Sequence, residues 1–429
     1  MADVIVEKTG AVAEPPPSAE DRADLRRRTT FIGAGIVLVV FGYPDTGIGD
    51  LPLRYVLSNQ LGVAPAAMAL WFALANIPSW CKPVIGILSD SIPLLGTRRR
   101  HYLMFAASLA AIVWLQMILV PPTYHALLWT AISLNALCTV CGTVHGGVVM
   151  EEGKKRGMTG RLASLRSICS NMGAMAAGPL GGFLATLAFG WTALTGAILM
   201  ASLAVLGYFC LREPRTATRN RDAWPNAKAQ LSLLGHSKPL WIAGILMFLL
   251  RIAPGFSTPL FYHQDEVLLF SKQFVGTLAG LASAAAFLGG FLYYVLCRKF
   301  ALRHLLWICV LADIVTTLGF LVYDSASAAI VIRTLSGMGN TLSFLALFDL
   351  TARATPKGSE AMGYSVMYAF INVALSGSDY LGAHLYQMFG NTFGPMVLIN
   401  AATTALILLV LPRLPDTLVR GRDGDARAT

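Results

Sequence analysis

Apolar residues run along this chain in long unbroken blocks, and polar residues collect in the gaps between them. A block of roughly 18 or more apolar residues is long enough to cross a bilayer as a helix. Twelve such blocks predict spans at about 30–57, 66–89, 101–120, 125–149, 162–187, 191–211, 240–262, 273–297, 304–323, 327–351, 360–388 and 394–412. Residues 1–28, with Pro15, Pro16, Pro17 and scattered acids, predict a disordered tail. The pattern therefore divides the chain into that tail, a six-helix bundle over 29–211, a polar linker over 212–238, a second six-helix bundle over 239–412 and a tail over 413–429. The fold class is an all-α membrane protein.

Composition agrees. With 55% hydrophobic and 13% charged residues, the 429-residue chain is too apolar for a soluble globule. The formal net charge of +10 raises the question of nucleic acid, but the placement of the charges answers it. Arg26 to Arg28, Arg98 to Arg100, Lys154 to Arg156, Arg212 to Lys228, Arg298 to Arg303, Arg353, Lys357 and Arg413 to Arg427 all fall on alternate connections. Such alternation sets orientation in a membrane and predicts both termini in the cytoplasm, in the plasma (inner) membrane, with the bilayer as the charged partner and no nucleic acid. No secretory signal precedes the first span. The seven cysteines are odd in number and lie almost entirely within apolar blocks, so no disulfide framework is expected.

Two blocks are interrupted at matching places. The first carries Pro44 and then Pro52-Leu53-Arg54-Tyr55; the seventh carries Pro254 and then Pro259-Leu260-Phe261-Tyr262. Paired breaks in corresponding helices of two repeats point to a transporter's binding site. A small-molecule site is therefore expected at mid-membrane between spans one and seven, at Tyr43, Pro44, Asp45, Arg251, Pro254, Phe256 and Tyr262, with backbone groups freed by the prolines offered to the ligand. Gly178, Gly181 and Gly182 in span five and Gly276-x-x-x-Gly280 in span eight predict close helix packing.

The stretch from Trp80 to Tyr102 carries Lys82-Pro83, Gly86-x-x-x-Asp90, Ser91, Pro93 and then Gly96-x-Arg98-Arg99-Arg100. It resembles the loop between helices two and three of the major facilitator superfamily and, more narrowly, the folate–biopterin transporter family. Ala253-Pro254, Ser257-Thr258 and Phe261-Tyr262 are similar to that family's seventh helix. Thr355-Pro356-Lys357-Gly358-Ser359-Glu360-Ala361, Asn372 and Leu381-Gly382-Ala383 are similar to its eleventh and the segment leading into it. The resemblance covers about 80–400 and implies twelve helices in the major facilitator fold, transport of a pterin-like or other aromatic organic anion, and a gating role for Lys82, Asp90, Arg98, Arg99 and Arg100. Phe41 to Gly47 and Arg251 depart from the family's pattern, and they lie where a substrate would bind.

A charge at the bilayer centre costs about 2.5–3.5 kcal/mol on insertion scales, so each one inside a span needs a reason. Arg251 lies about 11 residues into span seven, roughly 17 Å deep at 1.5 Å per residue. Its guanidinium can pair bidentately with a substrate carboxylate, or with an intramembrane Asp. Asp45, Asp313 and Asp379 are the acids at depth, each able to carry a coupling proton, with Asp45 best placed beside the break. Asp313, on a span that faces lipid in this superfamily, is expected to be paired or locally hydrated. Arg54 and Lys272, near the outer ends, are expected to be solvated, and Arg166 to snorkel. Tyr43, Trp71, Trp80, Phe256, Tyr262, Tyr364 and Tyr368 are the aromatic groups near the expected cavity. His145 and His384 lack a partner at metal-ligand spacing, and no phosphate-binding loop or hydrolase motif is present, so no cofactor, metal or enzymatic activity is expected. Three classes remain: a folate–biopterin-type secondary transporter, possessing or lacking proton coupling, as a monomer; a carrier of an unrelated amphipathic solute; and a receptor or assembly factor that keeps the fold without transport.

Overall fold

The computed structural model describes residues 19–211, 213, 223–356 and 359–420, and among them no strand forms. Arg212, Arg215, Arg219, Arg221 and Lys357 lie outside that set, as do the side chains of Asp90, Lys154 and Tyr364. Span one is Ala19–Gly42 and, after a break, Asp50–Tyr55. Span two is built from three pieces, Pro65–Ala75, Ile77–Trp80 and Lys82–Ser91. Spans three to six are Arg100–Leu119, Tyr124–Lys155, Thr159–Leu184 and Phe189–Cys210. Span seven is Lys238–Ile252 and Ser257–Tyr262, and spans eight to twelve are Lys272–Lys299, Leu302–Leu318, Ala326–Ala354, Glu360–Met388 and Phe393–Leu408. Twelve spans in two bundles of six make the all-α membrane fold that the hydrophobic pattern predicts.

Two segments differ from the expected course. The first helix begins at Ala19, inside the stretch read as a disordered tail, and the linker carries a helix of its own, Ala223–His236. The early start has a physical cause. Asp24 bonds Arg156 at 2.5 Å, and Glu152 at the end of span four takes Arg28 at 3.4 Å and Arg156 at 3.2 Å, so this cluster holds the first turns of helix against span four.

Eight of the described helices are long and apolar enough to cross a membrane. Their outward faces carry large bare side chains, Leu119 at 85% exposure and Phe291 at 68% among them, as a surface facing lipid requires. The broken spans are punctuated by proline. Pro78 and Pro83 each sit in the first turn of a new piece of span two, where a missing N–H costs nothing. Pro44 and Pro254 each precede an irregular turn before the helix resumes.

Side chains pack into two cores. One fills the first bundle and continues into Leu260, Phe261, Tyr262, Val275, Tyr323, Tyr386 and Phe393 of the second. The other joins the second bundle to Leu234 of the linker helix and to Leu414, Leu418 and Val419 after span twelve, and runs toward the end of the molecule that carries Arg298, Arg303 and Arg353. That basic end also carries Arg98 to Arg100. The two bundles thus share one apolar core only at the opposite, far end. Backbones meet there too. A Cβ on Gly178 would lie 2.7 Å from the Gly276 carbonyl, and one on Gly276 would lie 2.5 Å from that of Gly178, so spans five and eight touch because neither residue has a side chain.

Candidate functional site

Toward the middle of the molecule the bundles part around a cavity of about 660 Å³. Spans one and five form one wall, and spans seven to twelve supply the rest. Of the residues singled out from sequence, Asp45, Arg251, Phe256 and Asp379 line it together. Tyr43, Pro254, Tyr262 and Lys82 are not among its lining residues, and Arg98 to Arg100 lie at the basic end. Tyr43 turns its hydroxyl toward Gly142 and Thr139 of span four. The Tyr262 hydroxyl donates across the bundles to the Val63 carbonyl. Lys82 is half-buried, within electrostatic range of Asp45 and Arg166.

At the break in span seven the backbone groups are not left for a ligand, contrary to the sequence expectation. Asn400 donates to the Pro254 carbonyl at 2.6 Å, Ser378 donates to that of Ala253 at 2.5 Å, and Gly255 N–H donates to the Ser378 carbonyl at 2.8 Å. Spans eleven and twelve therefore satisfy the break in span seven. Gly382 permits the approach, since a Cβ there would meet the Gly255 carbonyl at 2.0 Å. At the other break, Trp114 Nε1 donates to Gly42 at 3.1 Å, and Gly47 N–H donates to Tyr43 at 3.1 Å. Irregular backbone at membrane depth persists where protein closes its hydrogen bonds in this way. What the break in span seven leaves to the cavity is side chains.

Four cavity-lining side chains, Asp50, Arg54, Ser257 and Asp379, belong to a latch between the bundles. Arg54, expected to be solvated, is only 6% exposed. Its Nε donates to Asp50 at 2.8 Å, while Nη1 and Nη2 donate to Thr258 and Ser257 of the second bundle, each at 3.1 Å. The guanidinium also lies 4.3 Å over the Phe72 ring. Thr258 in turn donates through its N–H and hydroxyl to Asp379, at 2.7 and 2.6 Å. Lys272, also expected in solvent, donates to the Ala185 carbonyl at 3.1 Å and lies 4.6 Å over the Tyr55 ring. These bonds close the far end.

The charges on the opposite wall are differently placed. Arg251 donates to Asn340 at 3.1 Å and covers the Phe344 ring at 4.9 Å. Asp313, expected to be paired or locally hydrated, lines the cavity within electrostatic range of Arg251. Arg333 lines it as well. Among the described residues no carboxylate pairs with Arg251 or Arg333 within ion-pair distance, and the Nε of each is buried without a partner. Asp45 is 8% exposed, with its Oδ1 likewise unpartnered. Among the described residues no cluster of three His, Cys, Asp or Glu is set to hold a metal. His145, fully buried, sits 3.1 Å from the Ile32 carbonyl.

At the basic end, the loop arginines act partly through their backbone. The N–H groups of Arg98, Arg99 and Arg100 all donate to the Glu213 carboxylate at 2.9 to 3.1 Å. An acid there caps the start of span three and favours its dipole. Arg99 reaches Ser89 at 3.1 Å and Glu151 at 3.8 Å. Glu213, Glu151 and Glu152 were not identified from sequence, because each partner comes from a different connection.

Twelve helices in two bundles around a central, charged, far-end-closed cavity define a membrane transporter of the major facilitator type. Solved structures share the architecture: the nucleoside transporter NupG matches with a TM-score of 0.67 at 15% identity, over 91% of this chain and 98% of that one. A D-xylose–proton symporter matches with a TM-score of 0.69 at 15% identity, over 91% and 98%. The chain belongs to the BT1 family, whose model matches residues 46–417. It is 26% identical over 414 residues to a folate-biopterin transporter of Synechocystis, covering 88% of this chain and 80% of that one. It is 24% identical over 392 residues to folate transporter 1 of Plasmodium falciparum, covering 86% and 76%.

Proposed function

We propose that this protein carries a folate- or pterin-like aromatic organic anion through its central cavity by alternating access, together with a proton. On this reading the basic end faces the cytoplasm of a cell whose plasma (inner) membrane holds the chain, and the bonds of Arg54 close the opposite end. The observation that carries the anion reading is Arg251, a guanidinium at mid-span held by neutral Asn340 and an aromatic ring rather than by a carboxylate. Such a cation keeps free donors for a ligand's acid group. The names of the relatives, folate and folate-biopterin transporters, agree with a ligand of that kind.

Charge balance supports the proton. The cavity is lined by Asp45, Asp50, Asp313 and Asp379 against Arg54, Arg251 and Arg333, one more carboxylate than guanidinium. An anion entering such a site deepens the negative excess unless a carboxylate takes up a proton. Asp45 is the acid we assign to do so, since Asp50 is held by Arg54, Asp379 by Thr258, and Asp313 lies against Arg251 and Ser343. Purified protein in liposomes tests the proposal: folate uptake should rise when the outside is made acidic and should be abolished by collapsing the pH gradient. Uptake that ignores the gradient removes the proton, and a protein that is stabilised by neither folates nor pterins removes the substrate class.

A further inference from the structure

Span ten presents one polar face to the cavity, with Arg333, Ser336, Gly337 and Asn340 at spacings of three, four and seven residues. Asn340 marks the Arg251 site through its 3.1 Å bond. Arg333 stands two turns nearer the far end, and seven residues of helix rise about 10 Å. Two rings, Phe256 and Phe320, line the same cavity with their centroids 5.2 Å apart, and Phe320 stacks at 5.4 Å on Tyr323, which lies within electrostatic range of Arg333. Thr317, one turn before Phe320, lines the same wall.

We infer that Arg333, Thr317 and the Phe256–Phe320 wall form a second subsite, which takes the planar ring of an elongated ligand whose acid group lies about 10 Å away at Arg251. This rests on the anion reading above and adds to it the division of labour between the two arginines. The chemistry of the pieces fits that assignment. A guanidinium presents parallel N–H donors in a fixed plane, which suits the carbonyl-and-nitrogen edge of a conjugated heterocycle as well as it suits a carboxylate. Aromatic rings offer a face against which that heterocycle packs, and hold it in the plane of the donors. Arg333 has no carboxylate partner among the described residues, so its donors are available. What assigns Arg333 the ring rather than an acid is the aromatic wall on its part of the cavity, since its guanidinium alone would suit a carboxylate as well.

Three probes separate the subsites in binding measurements on the full-length purified protein. Folate carries both ends, biopterin carries a ring without an acid, and 4-aminobenzoylglutamate carries acids without the pterin ring. Arg333→Gln should weaken biopterin and folate by roughly ten- to a hundredfold, the span expected for loss of a charge-assisted hydrogen bond, and leave 4-aminobenzoylglutamate within twofold. Arg251→Ala should do the reverse, sparing biopterin. Arg333→Lys, which keeps the charge but loses the planar fork, should recover binding of the ring only in part, and it serves as the test if the Gln variant does not fold. If Arg333 variants weaken all three probes alike, or leave biopterin unchanged while the wild type binds it, the second subsite is wrong and the anion reading stands. If the wild-type protein binds none of the three, the substrate class falls and the subsite with it.

Discussion

Replacing Arg54 with Gln should open the far end. Arg54 joins the bundles through Thr258 and Ser257, at 3.1 Å each, and it keeps Asp50 neutralised at 2.8 Å. A hydrogen bond from a charged donor contributes about 1.5–3 kcal/mol, so the two bonds that cross between bundles favour the closed far end by about 3 kcal/mol at the lower bound. That is a factor of about 150 in the equilibrium between closed and open far ends, at about 1.4 kcal/mol per tenfold. Ser257→Ala removes one of those bonds and should shift the equilibrium about tenfold. Spin labels at Gln60 and Val267, both exposed and each the last residue of the π-helical turn that ends its span, report the separation directly. The wild type should give a single short distance, Ser257→Ala a minor longer one, and Arg54→Gln mostly the longer. An Arg54→Gln protein that melts at lower temperature yet keeps the short distance would refute the latch and leave Arg54 a residue of the fold alone.

Further outcomes follow from the same geometry. Asp45→Asn should abolish uptake against a gradient while leaving exchange of folate for folate largely intact, because exchange moves no net proton; loss of both in liposomes would assign Asp45 to substrate binding instead. Gly178→Val places a side chain against the Gly276 carbonyl and the Gly280 nitrogen, each 2.7 Å from its Cβ, and overpacking of this kind costs about 1–3 kcal/mol. The detergent-solubilised variant should melt several degrees below the wild type, and an unchanged melting temperature would show that spans five and eight can part freely.

The spans were legible because a bilayer demands length and apolarity together, and both are properties of consecutive residues. The site was legible only where a charge or ring sat beside a proline break, as Asp45, Arg251 and Phe256 do. Arg54 and Lys272 were misplaced because depth along a helix says nothing about the opposite bundle. Arg54 meets Thr258, 204 residues away, and no local pattern foretells that pairing. The placement of span nine, though not the expectation that Asp313 is paired or hydrated, differed for a related reason. That span was assigned to lipid as a whole, whereas Asp313, Thr317 and Phe320 repeat on one face that turns inward. Arg333 had a usable signal, a polar stripe from Arg333 to Asn340 at helical spacing, and reading it would have found the cavity wall of span ten. The proline break in span seven misled in one respect, because Ser378 and Asn400, from distant spans, take up the backbone groups it frees.

The most direct test of anion transport through this cavity is counterflow of labelled folate into liposomes carrying wild-type or Arg251→Ala protein in equal folded amounts. The wild type should accumulate label transiently against unlabelled folate inside, Arg251→Ala should need roughly ten- to a hundredfold more folate for the same rate, and Arg251→Lys should fall between. Equal rates for wild type and Arg251→Ala at every folate concentration would contradict a substrate acid at Arg251.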